Sequence, residues 1–266
     1  MIRTVKSGKV VEKSQFFVGE RKPRAPKRKG SSSLAKKDSN MNQAVRRLAR
    51  ILNCNFHKGD LFVTLTYDEE HFDKLGGLAE NADKACQLFW RRLSRTLSDI
   101  GIKIRGVWIT ADKDEATGAP VRLHHHMVIG AEGFDITWKD RKLESCKVNG
   151  RDLASIWGNG SVHVEYLKSQ DDYTAVANYM ARQSVGGADA KKWHTSRGLD
   201  KPVVLSEKVS ASPHELRAPG GADVKEIGHY DEQTGSHYIR YIRRPEVTPL
   251  MQVEDCNSMF ESGGFV

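Results

Sequence analysis

Residues 121–130 read Val-Arg-Leu-His-His-His-Met-Val-Ile-Gly, and their apolar positions predict a short buried strand. Side chains along a strand alternate between its two faces. His124 and His126 therefore share one face, and His125 joins Leu123, Met127 and Ile129 on the other. Residues 61–67, rich in β-branched and aromatic side chains, read as a central strand that ends in a polar loop at 68–71. Residues 103–110 read as another strand, and 111–120 as a polar loop holding Gly118 and Pro120.

Helical spacing marks three segments. From residue 41, Val45, Leu48, Ile51 and Leu52 form one stripe; over 78–99, Ala82, Ala85, Phe89, Leu93 and Leu97 form a second. Residues 151–157 predict a short helix, 158–160 a turn, and 161–166 a half-buried alternating strand. A hydroxyl at Ser169 and a carboxylate at Asp172 predict the start of the third helix. Along it Tyr173, Val176, Ala177 and Met180 turn toward a core, while Tyr179 lies on a neighbouring face with Asp172, Ala175, Arg182 and Gln183. Residues 224–230 and 237–242 predict a hairpin around 231–236.

Charge divides the chain. Its 266 residues carry a net +8, yet residues 1–40 alone hold twelve basic and three acidic side chains, so the remainder is near neutral. The run Arg21-Lys-Pro-Arg-Ala-Pro-Lys-Arg-Lys29 and the serines after it offer too little apolar surface to offset ordering, so residues 1–40 are expected as a disordered basic arm. Such an arm attracts nucleic-acid phosphates without reading sequence, or simply keeps the chain soluble. Residues 41–205 follow as the folded domain and 206–266 as an extension carrying the hairpin. No apolar run is long enough for a bilayer and the amino end has no signal-like apolar core, so a cytoplasmic protein is expected. Cys54, Cys86, Cys146 and Cys256 have neither zinc-knuckle nor disulfide spacing.

Two imidazoles projecting from one strand face are spaced to hold a single divalent metal through neutral ring nitrogens. If 103–110 and 121–130 form a hairpin, Asp112 or Asp114 would complete the shell, giving a mixed site suited to Mg²⁺, Mn²⁺ or Zn²⁺. His163 and Glu165 share the polar face of their strand and stand as reserve ligands. Tyr179, at the edge of its stripe, either packs or reaches such a site. A phenol of ordinary pKa needs a cation to polarise the phosphate it attacks, and Arg182 would neutralise phosphate or phenolate.

A strand like 62–67, a His-x-His strand like 122–129 and a late helix like 177–182 occur in that order in HUH endonucleases, the rolling-circle replication initiators of small single-stranded DNA phages and plasmids. The chain most resembles the microvirus and bacterial phage-type replication proteins. There Trp-Gly-x-Gly, Ala-x-Tyr-x-x-Lys and Ser-Arg-x-Leu-x-Lys-Pro recur, as at Trp157 to Gly160, Ala177 to Arg182 and Ser196 to Pro202. The resemblance implies an α+β fold, a central antiparallel sheet of the HUH/RRM-like palm type with helices packed on it. It implies His124 and His126 as ligands for Mg²⁺ or Mn²⁺, usually with a nearby acidic or amide side chain, and Tyr179 as a nucleophile that cleaves single-stranded DNA at an origin. The tyrosine stays joined to the 5′ phosphate and frees a 3′ hydroxyl.

Two departures stand out. Arg182 replaces the family's lysine, keeping the charge but not the proton transfer, and His125 stands where an apolar residue is usual, so it sits buried and neutral or marks a shifted register. No Gly-x-x-x-x-Gly-Lys-Ser/Thr occurs, so strand separation is expected to fall to a host helicase, with a host polymerase extending the primer in a bacterial cytoplasm. Other readings stay open: a nucleic-acid-binding protein with a vestigial site, a relaxase- or transposase-type HUH enzyme, or a metallohydrolase using activated water.

Overall fold

From the amino end come strands β1 (Ile2–Ser7) and β2 (Val10–Gln15), helix α1 (Leu34–Asn55), strand β3 (Leu61–Leu65), and helices α2 (Glu69–Leu75) and α3 (Ala79–Ser98). A hairpin of β4 (Gly106–Lys113) and β5 (Pro120–Ile129) follows, then β6 (Phe134–Lys139), β7 (Lys142–Val148), β8 (Arg151–Asp152), α4 (Leu153–Trp157), β9 (Val162–Tyr166) and α5 (Thr174–Gln183). Strands β10 (His194–Thr195), β11 (Val203–Glu207), β12 (Asp223–Ile227) and β13 (His237–Ile242) complete the described elements. The structure is a computed structural model that describes residues 1–16, 34–140, 142–168, 170–185, 193–209, 215–231 and 236–244.

The fold is α+β, built on a central five-stranded antiparallel sheet of order β10-β4-β5-β3-β9. Its two faces bury different partners because β3, β4 and β5 are apolar on both sides. Leu61, Val63, Leu65, Trp108, Met127 and Ile129 pack against α3 and α4. Val107, Ile109, Ala111 and Val128 pack against α1 and α5, whose Leu48, Leu52, Ala177 and Met180 lie in that second cluster. The predicted stripes of α1, α3 and α5 are thus the buried faces of those helices. Between α4 and β9 the chain turns at Gly160, whose φ is +148°; a Cβ there would sit 2.5 Å from the Thr66 carbonyl and the Asp68 amide. Only glycine fits so close to another backbone.

Several boundaries differ from the sequence expectation. The loop predicted at 68–71 contains the start of α2, because the Asp68 carboxylate accepts the His71 amide at 2.8 Å and caps it. The strand expected at 103–110 runs from Gly106 to Lys113. Helix α5 begins at Thr174, not near Ser169, which lies outside the described residues; the cap is Asp172, whose carboxylate accepts the Thr174 amide and hydroxyl. The hairpin β6–β7 was not anticipated, its β6 half being largely solvent-exposed.

The disordered arm expected over 1–40 gives way at both described ends. Strands β1 and β2 pair with each other, and α1 begins at Leu34 instead of residue 41. Averaging charge over forty residues hides the buried positions Val5, Val10 and Val11. The basic run 21–29 and serines 31–33 lie outside the described residues. A second sheet, of order β11-β1-β2-β13-β12, joins these opening strands to the predicted hairpin, which is present as β12 and β13. Arg50 of α1 donates through Nε to the buried Glu12 carboxylate at 2.9 Å, and Arg46 reaches Glu226 at 3.0 Å, so ion pairs dock this sheet on α1. Breaking a pair with one partner as buried as Glu12 typically costs about 3–5 kcal/mol.

Candidate active site

Strand β5 is held between β4 and β3, with Ala111 opposite His124, Ile109 and Thr64 opposite His126, and Thr110 opposite His125. Alternation puts His124 and His126 on the α1/α5 face and His125 on the α3 face, as expected. The Nε2 atoms of His124 and His126 converge to 3.0 Å. Their other nitrogens are occupied: His124 Nδ1 donates to the Arg122 carbonyl at 2.9 Å, and His126 Nδ1 meets the Thr64 hydroxyl at 3.1 Å. A carbonyl accepts only, so the proton of a neutral His124 sits on Nδ1 and the Nε2 lone pair faces inward.

Burial pushes the His126 pKa down to about 3, helped by the His124 charge and opposed by a side-chain hydrogen bond to Gln183. His126 is therefore neutral at pH 7. A neutral pair with ring nitrogens 3.0 Å apart needs a shared proton or a cation between them. Two nitrogens at roughly 2.1 Å from one metal stand about that far apart. The outer hydrogen bonds that orient both rings are the kind that tune metal ligands, so the residues fit a divalent cation.

Helix α5 brings Tyr179 over this pair. Its ring centroid lies 5.0 Å from that of His126, and Phe62 stands beside both, 5.3 Å from the His126 ring and 6.1 Å from the tyrosine. Tyr179 is 37% exposed, open to solvent on its outer side. Gln183, one turn further along α5, is buried and reaches His126. No motif pointed to it, although it shares the Tyr179 face at i+4 spacing.

The remaining candidates are placed elsewhere. Among the described residues no three His, Cys, Asp or Glu side chains gather in metal-holding range, so Asp112 does not join the histidine pair. Asp112 follows Ala111 at the β4 bulge, where alternation no longer fixes its direction; its Oδ1 is 3.6 Å from Lys113 Nζ. Asp114 closes the hairpin tip, accepting the Ala116 and Thr117 amides at 3.1 and 2.8 Å. His163 and Glu165 pair with each other at 3.2 Å on exposed β9, on the face that carries Thr64 and Phe62. Tyr173 is buried. Arg182 is exposed and donates through Nε to Asn178 Oδ1 at 2.8 Å, and Asn178 in turn donates to Glu115 at 2.8 Å.

Residues 60–184 match the family model for the replication-associated protein ORF2. The match opens one residue before β3 and closes one residue after α5, so the replication-associated segment contains both histidines, Tyr179 and Gln183. No curated protein and no solved structure matches the chain. No helix among the described residues is long and apolar enough to cross a membrane.

On the far face of β5, His125 is fully buried between Tyr67, whose hydroxyl is 2.7 Å from its Nε2, and Thr110, whose hydroxyl is 3.1 Å from its Nδ1. Thr110 continues to Asp83 at 3.4 Å, and Asp83 to His194 at 2.9 Å. Burial pushes the His125 pKa down to about 3. It is the buried, neutral alternative of the two the sequence left open, and the strand register is undisturbed.

Proposed function

We propose that this protein is a replication initiator that nicks and rejoins single-stranded DNA at an origin, with Tyr179 as nucleophile. The observation that carries the reading is the Tyr179 ring 5.0 Å from His126, whose Nε2 converges with that of His124, inside the segment that matches the replication-associated model. His124, His126 and the Gln183 amide oxygen would hold one Mg²⁺ or Mn²⁺, with Gln183 standing where Asp112 was expected. When bound, that cation would polarise the scissile phosphate and spread the charge that builds on it.

The chain's own residues supply the rest. The Tyr179 oxygen forms a bond to phosphorus as the bond from phosphorus to the 3′ oxygen breaks. The phenol proton passes to water on the exposed side of the ring, and the departing 3′ oxygen takes a proton to become the priming hydroxyl. The product is a 5′ phosphotyrosine, and attack by a 3′ hydroxyl reverses the step to close a circle. Arg182 stays charged throughout and can steady the phosphate but cannot relay the proton. Its tether to Asn178 sets the reach of the guanidinium. Host helicase and polymerase would open and copy the duplex.

Incubation with labelled single-stranded DNA and Mn²⁺ tests this reading. A covalent protein–DNA adduct on a denaturing gel, abolished by Tyr179→Phe and by chelation, is expected. Cleavage without an adduct, or an adduct that persists in Tyr179→Phe, overturns it.

A further inference from the structure

A cleft of about 360 Å³ opens beside Tyr179, between the end of β9 and the first turns of α5. Phe62, Leu167 and Val176 give it apolar walls, Tyr179 stands at one lip, and Glu165 and Lys168 stand at its rim. Its size is at the small end of ligand pockets. Phe62 is only half-buried, so part of its ring remains available to a flat ligand beside the His126 and Tyr179 rings.

The rim is the informative part. A carboxylate next to a DNA backbone repels phosphate, so Glu165 is badly placed for a cleft that grips backbone. It is well placed to accept a hydrogen bond from a base edge, as carboxylates do from the cytosine amine. One oxygen, Oε1, faces His163 at 3.2 Å, which leaves Oε2 without a partner among the described residues. Lys168 supplies the positive charge for the adjoining phosphate.

We infer that this cleft takes the base of a nucleotide next to the attacked phosphate and favours a base bearing an exocyclic amine, with Phe62 supplying the stacking face and Glu165 the acceptor. The inference rests on the nicking reading for what occupies the site. Thymine presents a carbonyl where cytosine presents its amine, and two acceptors facing each other leave both unpaired. A well-formed base contact is worth about 1–3 kcal/mol of discrimination, or roughly five- to a hundredfold in affinity.

The test separates binding from cleavage. Tyr179→Phe protein, which cannot form the adduct, is titrated into fluorescein-labelled oligodeoxycytidylate and oligothymidylate of equal length at fixed salt, with anisotropy as readout. Oligocytidylate is expected to bind about tenfold more tightly. Glu165→Gln, an exposed change whose amide can both donate and accept, is expected to bring the two affinities within about twofold. Phe62→Leu is expected to weaken both while keeping their ratio. Equal affinities in the parent protein, or a preference that survives Glu165→Gln, overturn the assignment even if wild type forms adducts. A missing adduct overturns the nicking reading alone, because the binding ratio is measured without it.

Discussion

Gln183 lies one helical turn beyond Tyr179, and its side chain hydrogen-bonds the ring of His126. A single helix therefore delivers both the phenol and an amide to the histidine pair. Gln183→Ala is expected to weaken Mn²⁺ binding by about 10- to 100-fold, the usual cost of losing a group that ligates or orients a ligand. Gln183→Glu should keep or tighten it. Titration calorimetry on the metal alone reads both, and Mn²⁺ affinity unchanged in Gln183→Ala would remove this residue from the site.

His125 carries no ligand role and faces away from the pair, so its contribution is to hold β5. His125→Leu supplies an apolar side chain but strips the Tyr67 and Thr110 hydroxyls of a buried partner. The expected loss is about 1–3 kcal/mol in urea unfolding, with Mn²⁺ affinity retained. A stability equal to wild type would show that the two hydroxyls are satisfied without it.

The acid response of the same network follows from Asp83. Its hydrogen bond from His194 holds the carboxyl below its usual pKa, with smaller help from Gln87 and Thr110. A carboxyl depressed in the folded state contributes stability that is present above its unfolded value near 3.8 and fades as pH falls through the folded value. The gap in urea midpoint between wild type and Asp83→Asn should therefore be wider at about pH 5 than at about pH 3. An unchanged gap would mean that Asp83 titrates alike in both states. Because His194 stacks on Trp108 at 5.3 Å, indole fluorescence should report the same release.

Much of this arrangement was legible in the residues. Alternation alone split His124 and His126 from His125, and 3.6-residue spacing placed Tyr179 off the core stripe of its helix, because both patterns are local. The same spacing put Gln183 on the Tyr179 face. What an amide bonds to is decided by the sheet packed beneath it, so its partner stayed hidden. Asp112 falls outside the pair for a related reason: a bulge between Ala111 and Lys113 breaks the alternation from which its direction was inferred. Strands β1 and β2 were lost under a charge average dominated by the basic run that follows them.

The far sheet has a bearing on the nucleophile although it touches none of the rings around it. Arg240 of β13 grips Asp172 at 2.7 Å, and Lys9, between β1 and β2, reaches Asp171 at 2.7 Å, just where α5 sets out. Segments more than two hundred residues apart along the chain thus fasten the base of the lever on which the phenol rides. Trimming the opening strands would leave every reacting group in the polypeptide and still let that lever swing.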